Sequence, residues 1–130
     1  MDAAMPKHYD DLESEDLYEM AIQWAIHGFT DKAIGLIKQS IELNPNFIGA
    51  YIDLAKLYAK KRQYNDAFHI LKKASKIDTK YHRLNYLMAK YAFKNGDYIA
   101  AKKYIERAIN LSPEKLYIAA QKVIIKHNRR

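Results

Sequence analysis

An all-α solenoid of three helical hairpins and a closing helix is the fold class the sequence predicts, and three observations predict it. The chain matches itself under one fixed shift, its apolar residues recur at three- and four-residue spacing, and turn-forming residues divide the periodic stretches into pairs. The shift brings Ala21 onto Ala55 and Ala89, Ala33 onto Ala67 and Ala101, Ser40 onto Ala74 and Ala108, and Pro45 onto Thr79 and Pro113. Apolar columns keep the same register: Met20, Leu54 and Met88; Ile37, Leu71 and Ile105; Leu43, Ile77 and Leu111.

The helices follow in order. Spacings such as Leu17, Met20, Ala21, Trp24 and Leu36, Ile37, Ser40, Ile41 mark amphipathic helices, predicted over about 14–27, 31–43, 47–60, 65–77, 81–94, 98–111 and 114–127. Gly28, Arg62 with Gln63, and Gly96 with Asp97 mark the turn inside each hairpin. Asn44-Pro45-Asn46, Asp78-Thr79 and Ser112-Pro113 mark the turns between hairpins. The units are therefore 14–47, 48–81 and 82–115, preceded by an acidic segment 1–13 expected to be flexible and followed by a capping helix with a basic tail, 116–130.

The small columns have a physical purpose. Helices approach to about 8–10 Å only where the crossing side chain is small, which assigns Ala21, Ala55 and Ala89 to the first helices' contact faces. Ala33, Ala67 and Ala101 answer them from the second helices, and the large residues Tyr51, Tyr58, Tyr64 and Trp24 fill the space beside these contacts.

Composition narrows the chemistry. The chain has 130 residues, 49% of them hydrophobic, enough for one domain with its own core. With no cysteine there is no disulfide framework, thiolate metal site or thiol nucleophile. The N-terminus lacks the apolar core of a secretory signal and no stretch has the length of a membrane span, so a cytoplasmic protein with no membrane partner is expected. A net charge of +7 favours acidic partners, and it is polarised. Residues 1–19 carry Asp2, Asp10, Asp11, Glu13, Glu15, Asp16 and Glu19 against Lys7, whereas residues 116–130 carry Lys122, Lys126, Arg129 and Arg130 and no acid.

This pattern resembles the tetratricopeptide repeat. Tyr51, Leu54, Ala55, Tyr58, Tyr64, Ala67, Leu71 and Ala74 occupy that family's slots in order, and Gly96-Asp97-Tyr98 repeats its turn. The resemblance covers residues 14–113 and implies a right-handed superhelix that presents a concave groove. Three positions depart from it: Arg62 stands at the turn glycine, Asn85 at the first aromatic of the third repeat and Ala92 at its second.

Family geometry turns one face of each first helix into the groove. The expected peptide-groove residues are Tyr18, Ile22, Ile52, Lys56, Lys60, Arg83, Tyr86, Leu87, Lys90, Phe93 and Lys94. They form an apolar path beside a basic wall, which suits a peptide with apolar anchors and acidic flanks. The opposing reading is that the lysines are a solvated face and that Tyr18, Ile52 and Phe93 pack under their neighbours. The family's clamp for a terminal carboxylate is not expected, because its slots hold Tyr18, Ile22, Asp53, Arg83 and Leu87, and Asp53 repels a carboxylate.

In the last helix Leu116, Ala119, Ala120, Val123 and Ile124 are expected to cover the third hairpin. Ile118 and Ile125 then point away and become a candidate self-association surface, as does the acidic N-terminal segment. The histidines His8, His27, His69, His82 and His127 do not gather on one helix face, so no metal or other cofactor is expected. Nor does the chain carry a phosphate loop, a nucleophile elbow or a dinucleotide motif, and neither catalysis nor a small-molecule substrate is expected. A nucleic-acid reading rests on basic residues interleaved with Tyr86, Tyr91, Phe93, Tyr98 and Tyr104, but most of these aromatics are packing positions of the repeat.

Overall fold

The structure, a computed structural model, describes the backbone of residues 7–128 and the side chains of residues 13–128. It consists of seven helices among the described residues: α1 (Lys7–Ile26), α2 (Thr30–Leu43), α3 (Ile48–Lys60), α4 (Tyr64–Ser75), α5 (His82–Lys94), α6 (Tyr98–Leu111) and α7 (Lys115–Asn128). The extensive helix contacts all join sequence neighbours, first within the hairpins α1–α2, α3–α4 and α5–α6, then between them through α2–α3, α4–α5 and α6–α7. That is a helical-repeat solenoid, in which each unit buries its second face only against the next. No helix of the described residues is long and apolar enough to cross a membrane.

One turn geometry, used three times, makes the hairpins. Gly28 has φ of 87°, Gly96 of 83°, and Arg62, in the same register, has φ of 62°. At each turn this left-handed residue donates to the carbonyl three back, and its successor reaches five back. The bonds are Gly28 N to Ala25 O with Phe29 N to Trp24 O, Arg62 N to Ala59 O with Gln63 N to Tyr58 O, and Gly96 N to Phe93 O with Asp97 N to Ala92 O, all between 2.8 and 3.0 Å. This Schellman closure satisfies the orphan carbonyls of the first helix and reverses the chain in two residues. Of the residues that open the second helices, only Asp97 adds a side-chain cap, its Oδ1 accepting from Ala100 N at 3.1 Å.

The alanine columns lie in the core. Ala21, Ala55, Ala33, Ala67, Ala101, Ala74 and Ala108 are fully buried, and Ala89 is 1% exposed. Ser40, the polar member of its column, is buried through a reciprocal pair with Ser14. Ser14 Oγ donates to Ser40 O at 2.7 Å, Ser40 Oγ donates to Ser14 O at 2.7 Å, and the hydroxyls stand 2.8 Å apart. Two small hydroxyls thus close α1 on α2 with each backbone carbonyl serving as acceptor.

Three expectations need correction. The segment expected to be flexible to residue 13 is helical from Lys7, extending α1 by nearly two turns. The rest of that segment, 1–6, lies outside the described residues. Met20 is 50% exposed although Leu54 and Met88, in its column, are 1% exposed, because among the described residues no hairpin packs against that face of α1 as one does for α3 and α5. The covered face of α7 is Tyr117 and Ile124, 2% and 3% exposed, while Leu116 and Val123, expected to be buried, are half exposed together with exposed Ala119. Register explains this. Ala119 and Val123 fall one repeat length after Asn85 and Ala89, on the face that a first helix turns toward its own second helix, and α7 has none.

Two substitutions probe these devices. Replacing Arg62 by Gly removes a side chain from the left-handed region and is expected to stabilise the fold by about 1 kcal/mol in urea unfolding at unchanged slope. Ala55→Leu forces bulk into a closed helix crossing and is expected to destabilise it by about 2–3 kcal/mol.

Candidate functional site

The first helices α1, α3 and α5 carry the residues expected to line a groove, and the structure divides them into three groups. Lys56, Lys60, Arg83, Lys90 and Lys94 are exposed, and among the described residues none forms a salt bridge. The basic wall is therefore solvated, with Lys94 Nζ resting 5.6 Å from the Tyr64 ring centre.

The apolar path is not a continuous open floor. Ile52 and Leu87, expected to be part of it, are buried at 9% and 3% exposure within the cluster shared by Leu84, Met88 and Tyr91. Side-by-side packing of neighbouring hairpins closes over them, which the period of one helix does not report. Tyr18 is half-buried, its ring edge-on to Phe47 at 4.9 Å, and its hydroxyl donates to Asp53 across the α1–α3 junction. Burial first, and the Asp53 carboxylate second, push the Tyr18 hydroxyl up to about 12 from 10.0. Ile22 stays partly exposed beside this bond.

The third group meets at the other end. Tyr86, Lys90, Phe93 and Lys94 of α5 line a cleft of about 200 Å³ with Ala89, Ile105 and α7's Ala120, Val123 and Ile124. Tyr86 stacks on Tyr117 at 5.0 Å, and Phe93 receives the edge of His127 at 4.9 Å. Tyr117 is held in turn by His82, whose Nδ1 lies 2.7 Å from the phenol oxygen and 3.4 Å from a Glu114 carboxylate oxygen. The lining is almost wholly apolar, with two lysines at its mouth.

Sequence reasoning missed part of the contribution of α7. Ile124 and Ala120 belong to the stripe expected to cover the third hairpin, but Tyr117 and His127 do not, and Tyr117 stands one repeat length after Arg83, a surface position in the third repeat, so the register pointed away from it. The signal that could have found them is local. Tyr117, Ala120, Ile124 and His127 follow three- and four-residue steps and make a stripe of their own.

The interleaved aromatics do not form a stacking platform for bases. Tyr91 and Tyr104 are 4% and 7% exposed, and Tyr98 packs against Phe93 and His127 at 5.3 Å each.

Known proteins share this sequence pattern and this geometry. The family model described as Tetratricopeptide repeat matches residues 27–91, half of the chain, and a second model of the same description matches residues 82–115. The chain belongs to the tetratricopeptide repeat family. The TPR repeat-containing protein YpiA of Bacillus subtilis (strain 168) is 31% identical over 94 residues, which are 67% of this chain and 22% of YpiA. The chain thus spans about a fifth of that relative's length.

Among solved structures, the first TPR of Spaghetti (RPAP3) bound to the HSP90 peptide SRMEEVD matches with a TM-score of 0.84 at 17% identity. The match covers 92% of this chain and 96% of that one. The Arabidopsis OM64 TPR domain matches at 0.80 and 22% identity, covering 91% and 98%. The Yersinia enterocolitica type III secretion chaperone SycD, in complex with a peptide of the translocator YopD, matches at 0.78 and 18% identity, covering 89% and 94%. At these identities the structures establish a shared tetratricopeptide fold.

The Tyr18–Asp53 bond predicts an alkaline signature. Because the folded hydroxyl titrates above the ordinary tyrosine value, its contribution to stability is complete below pH 10 and is lost as pH rises through about 12. Tyr18→Phe is expected to remove one tyrosine from the last-ionising group in absorbance titration, and to cost about 1 kcal/mol at neutral pH.

Proposed function

We propose that the chain is a non-catalytic interaction module that binds an acidic segment of another protein. The observation that carries this reading is the α5–α7 cleft, an apolar hollow of about 200 Å³ with Lys90 and Lys94 at its mouth. A hollow of that size receives one large apolar side chain, which supplies affinity, while the two lysines, which have no salt-bridge partner among the described residues, supply steering. Lys56, Lys60 and Arg83 continue the positive field along α3 and α5, so acids flanking the anchor gain from a bound path longer than the cleft.

Relatives support the reading at the level of ligand class. Spaghetti's first TPR and SycD are each described with a bound peptide, and the former's, SRMEEVD, carries two glutamates and an aspartate. A terminal-carboxylate clamp is not part of the proposal, because Asp53 and buried Leu87 stand at two of its positions and Tyr18 is already bonded. A cytoplasmic setting is part of it, since a chain without cysteine asks for no oxidising compartment.

A second reading has its own observation. Leu116 and Val123 are 53% and 51% exposed on one face of α7, which suits self-association, while Ile118, 38% exposed, lies on another side of the helix. Ile125 is half-buried and the acidic side chains before Glu13 lie outside the described residues.

The test is fluorescence anisotropy with a peptide carrying one leucine or phenylalanine anchor between glutamates, against a control with lysines in their place. Lys90→Glu with Lys94→Glu is expected to weaken the acidic peptide at least about tenfold and to favour the control. Equal affinity for both peptides, or an unchanged affinity after charge reversal, would refute the acidic-ligand reading. Sedimentation of the unliganded chain as a dimer that Val123→Lys dissociates would favour the second.

A further inference from the structure

A second cleft lies away from the α5–α7 hollow, between the second helices α4 and α6 where they meet α5. It measures about 510 Å³, and its lining includes Lys72, Lys76, Ser75, Asn85, Tyr104 and Arg107. The repeat offers an internal comparison, because a cleft of about 280 Å³ occurs one unit earlier, lined by Lys38, Ile41, Glu42, Tyr51, Leu54, Ile70 and Lys73. The two occupy equivalent positions in successive repeats.

What changed between them is specific. Tyr51, which fills the earlier cleft and bonds its hydroxyl to Pro45 O at 2.8 Å, is replaced by Asn85. Ile41 is replaced by Ser75 and Glu42 by Lys76, while Lys38 and Lys73 remain basic as Lys72 and Arg107. Ile70 is replaced by Tyr104, so the aromatic moves from the first helix of the unit to the second, while one aliphatic and one acid of the earlier cleft have become a hydroxyl and a cation and its tyrosine an amide. The hollow is larger, and its lining holds three cations and no carboxylate.

Asn85 points to a ligand. The residue is 6% exposed, its Nδ2 donates to Tyr81 O at 3.2 Å, and its Oδ1 has no hydrogen-bond partner among the described residues. Among those residues no fully buried side-chain oxygen or nitrogen is unpartnered, so Oδ1 retains some exposure, and Asn85 is one of the residues lining the cleft. Ser75 already donates its hydroxyl to Lys72 O at 2.7 Å, and the Arg107 guanidinium lies 5.2 Å from the Tyr104 ring centre, a contact that restricts its motion at the wall.

We infer that this cleft binds a phosphoryl monoester. A dianion with three acceptor oxygens matches three cations better than a carboxylate does. An adjacent hydroxyl or amide N–H of the ligand would be received by Asn85 Oδ1. The volume accommodates a small molecule or a single phosphorylated side chain. This site is independent of the acidic-peptide reading, sharing no residue with the α5–α7 cleft.

The full chain, labelled with ¹⁵N, is titrated with inorganic phosphate, O-phosphoserine, a capped Gly-phosphoserine-Gly peptide and the same peptide unphosphorylated. The phosphorylated probes are expected to shift amides of α4, α5 and α6 around the cleft, and the unphosphorylated peptide to shift none. Lys72→Ala with Arg107→Ala is expected to weaken binding at least about tenfold. Asn85→Tyr with Ser75→Ile rebuilds the earlier repeat's filling and is expected to abolish it while helicity is kept. Lys90→Glu with Lys94→Glu is expected to leave it intact. Free O-phosphoserine binding as tightly as the peptide indicates a small ester as the source, and a tighter peptide indicates a phosphorylated protein. Absence of localised shifts, or shifts that survive both the cation and the filling variants, overturns the site.

Discussion

Helix approach at the alanine columns is the constraint on which the molecule depends. Three columns of small residues recur once per repeat, all of their members fully buried except Ala89, which is 1% exposed. They set how near each helix lies to the next. With that distance given, the Schellman turn at residues 28, 62 and 96 reverses the chain in the shortest available span. The aromatic packing, the two clefts and the solvated lysines are consequences of a backbone those two devices hold in place. Arg62 shows how strict the turn is, because the chain adopts the left-handed conformation there with a side chain that resists it.

In a stack held by nearest-neighbour contacts, the first and last described helices each pack extensively against one neighbour, and that accounts for the apolar surface exposed on them here. Met20 and Leu54 occupy one register position, yet among the described residues only Leu54 has a hairpin before it. At the other end α7 is in effect a first helix without its second, buried through Tyr117 and Ile124 and open along Leu116, Ala119 and Val123. Lys122 and Lys126 are exposed on the same helix.

Much of the fold was legible because its determinants are local. Six of the seven helices begin and end within a residue or two of their periodicity, and Ala21, Ala33, Ser40 and their counterparts were identifiable as contact positions from the shift alone. The start of α1 was not, since 7–13 has no apolar stripe to announce a helix and is carried by the helix that runs on from 14. The exposure of the charged residues was legible, as were Tyr86 and Phe93 at the α5–α7 cleft, while the burial of Ile52 and Leu87 was not. Exposure of a lysine on a helix face follows from the face, but whether Ile52 or Leu87 reaches solvent depends on how adjacent hairpins sit against each other. Tyr18 was likewise read as a groove residue because nothing in its spacing indicates that Asp53, 35 positions on, accepts a hydrogen bond from its hydroxyl. Tyr117 and His127 were missed for a related reason, as the register that found the repeats mislabels the helix that ends them.

The repeat itself supplies a way to separate residues that hold the fold from residues free to do something else. Positions held equal across units, the alanine columns and the turns, are explained by packing and conformation. Positions that differ between units sharing one backbone are not, and the Tyr51-to-Asn85 difference is the clearest of them. Exchanging a buried, hydrogen-bonded tyrosine for an asparagine gives up apolar burial at that position, a loss on the order of 1–3 kcal/mol that Tyr104, buried on α6 where the earlier unit has Ile70, offsets in part. The same unit also exchanged an acid for a cation at the cleft's edge, as Glu42 became Lys76, which adds charge repulsion to Lys72 and Arg107. Two changes that each weaken the folded state, placed around one hollow and both raising its affinity for an anion, are the pattern left by a binding site, where local stability is commonly lower than in the surrounding scaffold.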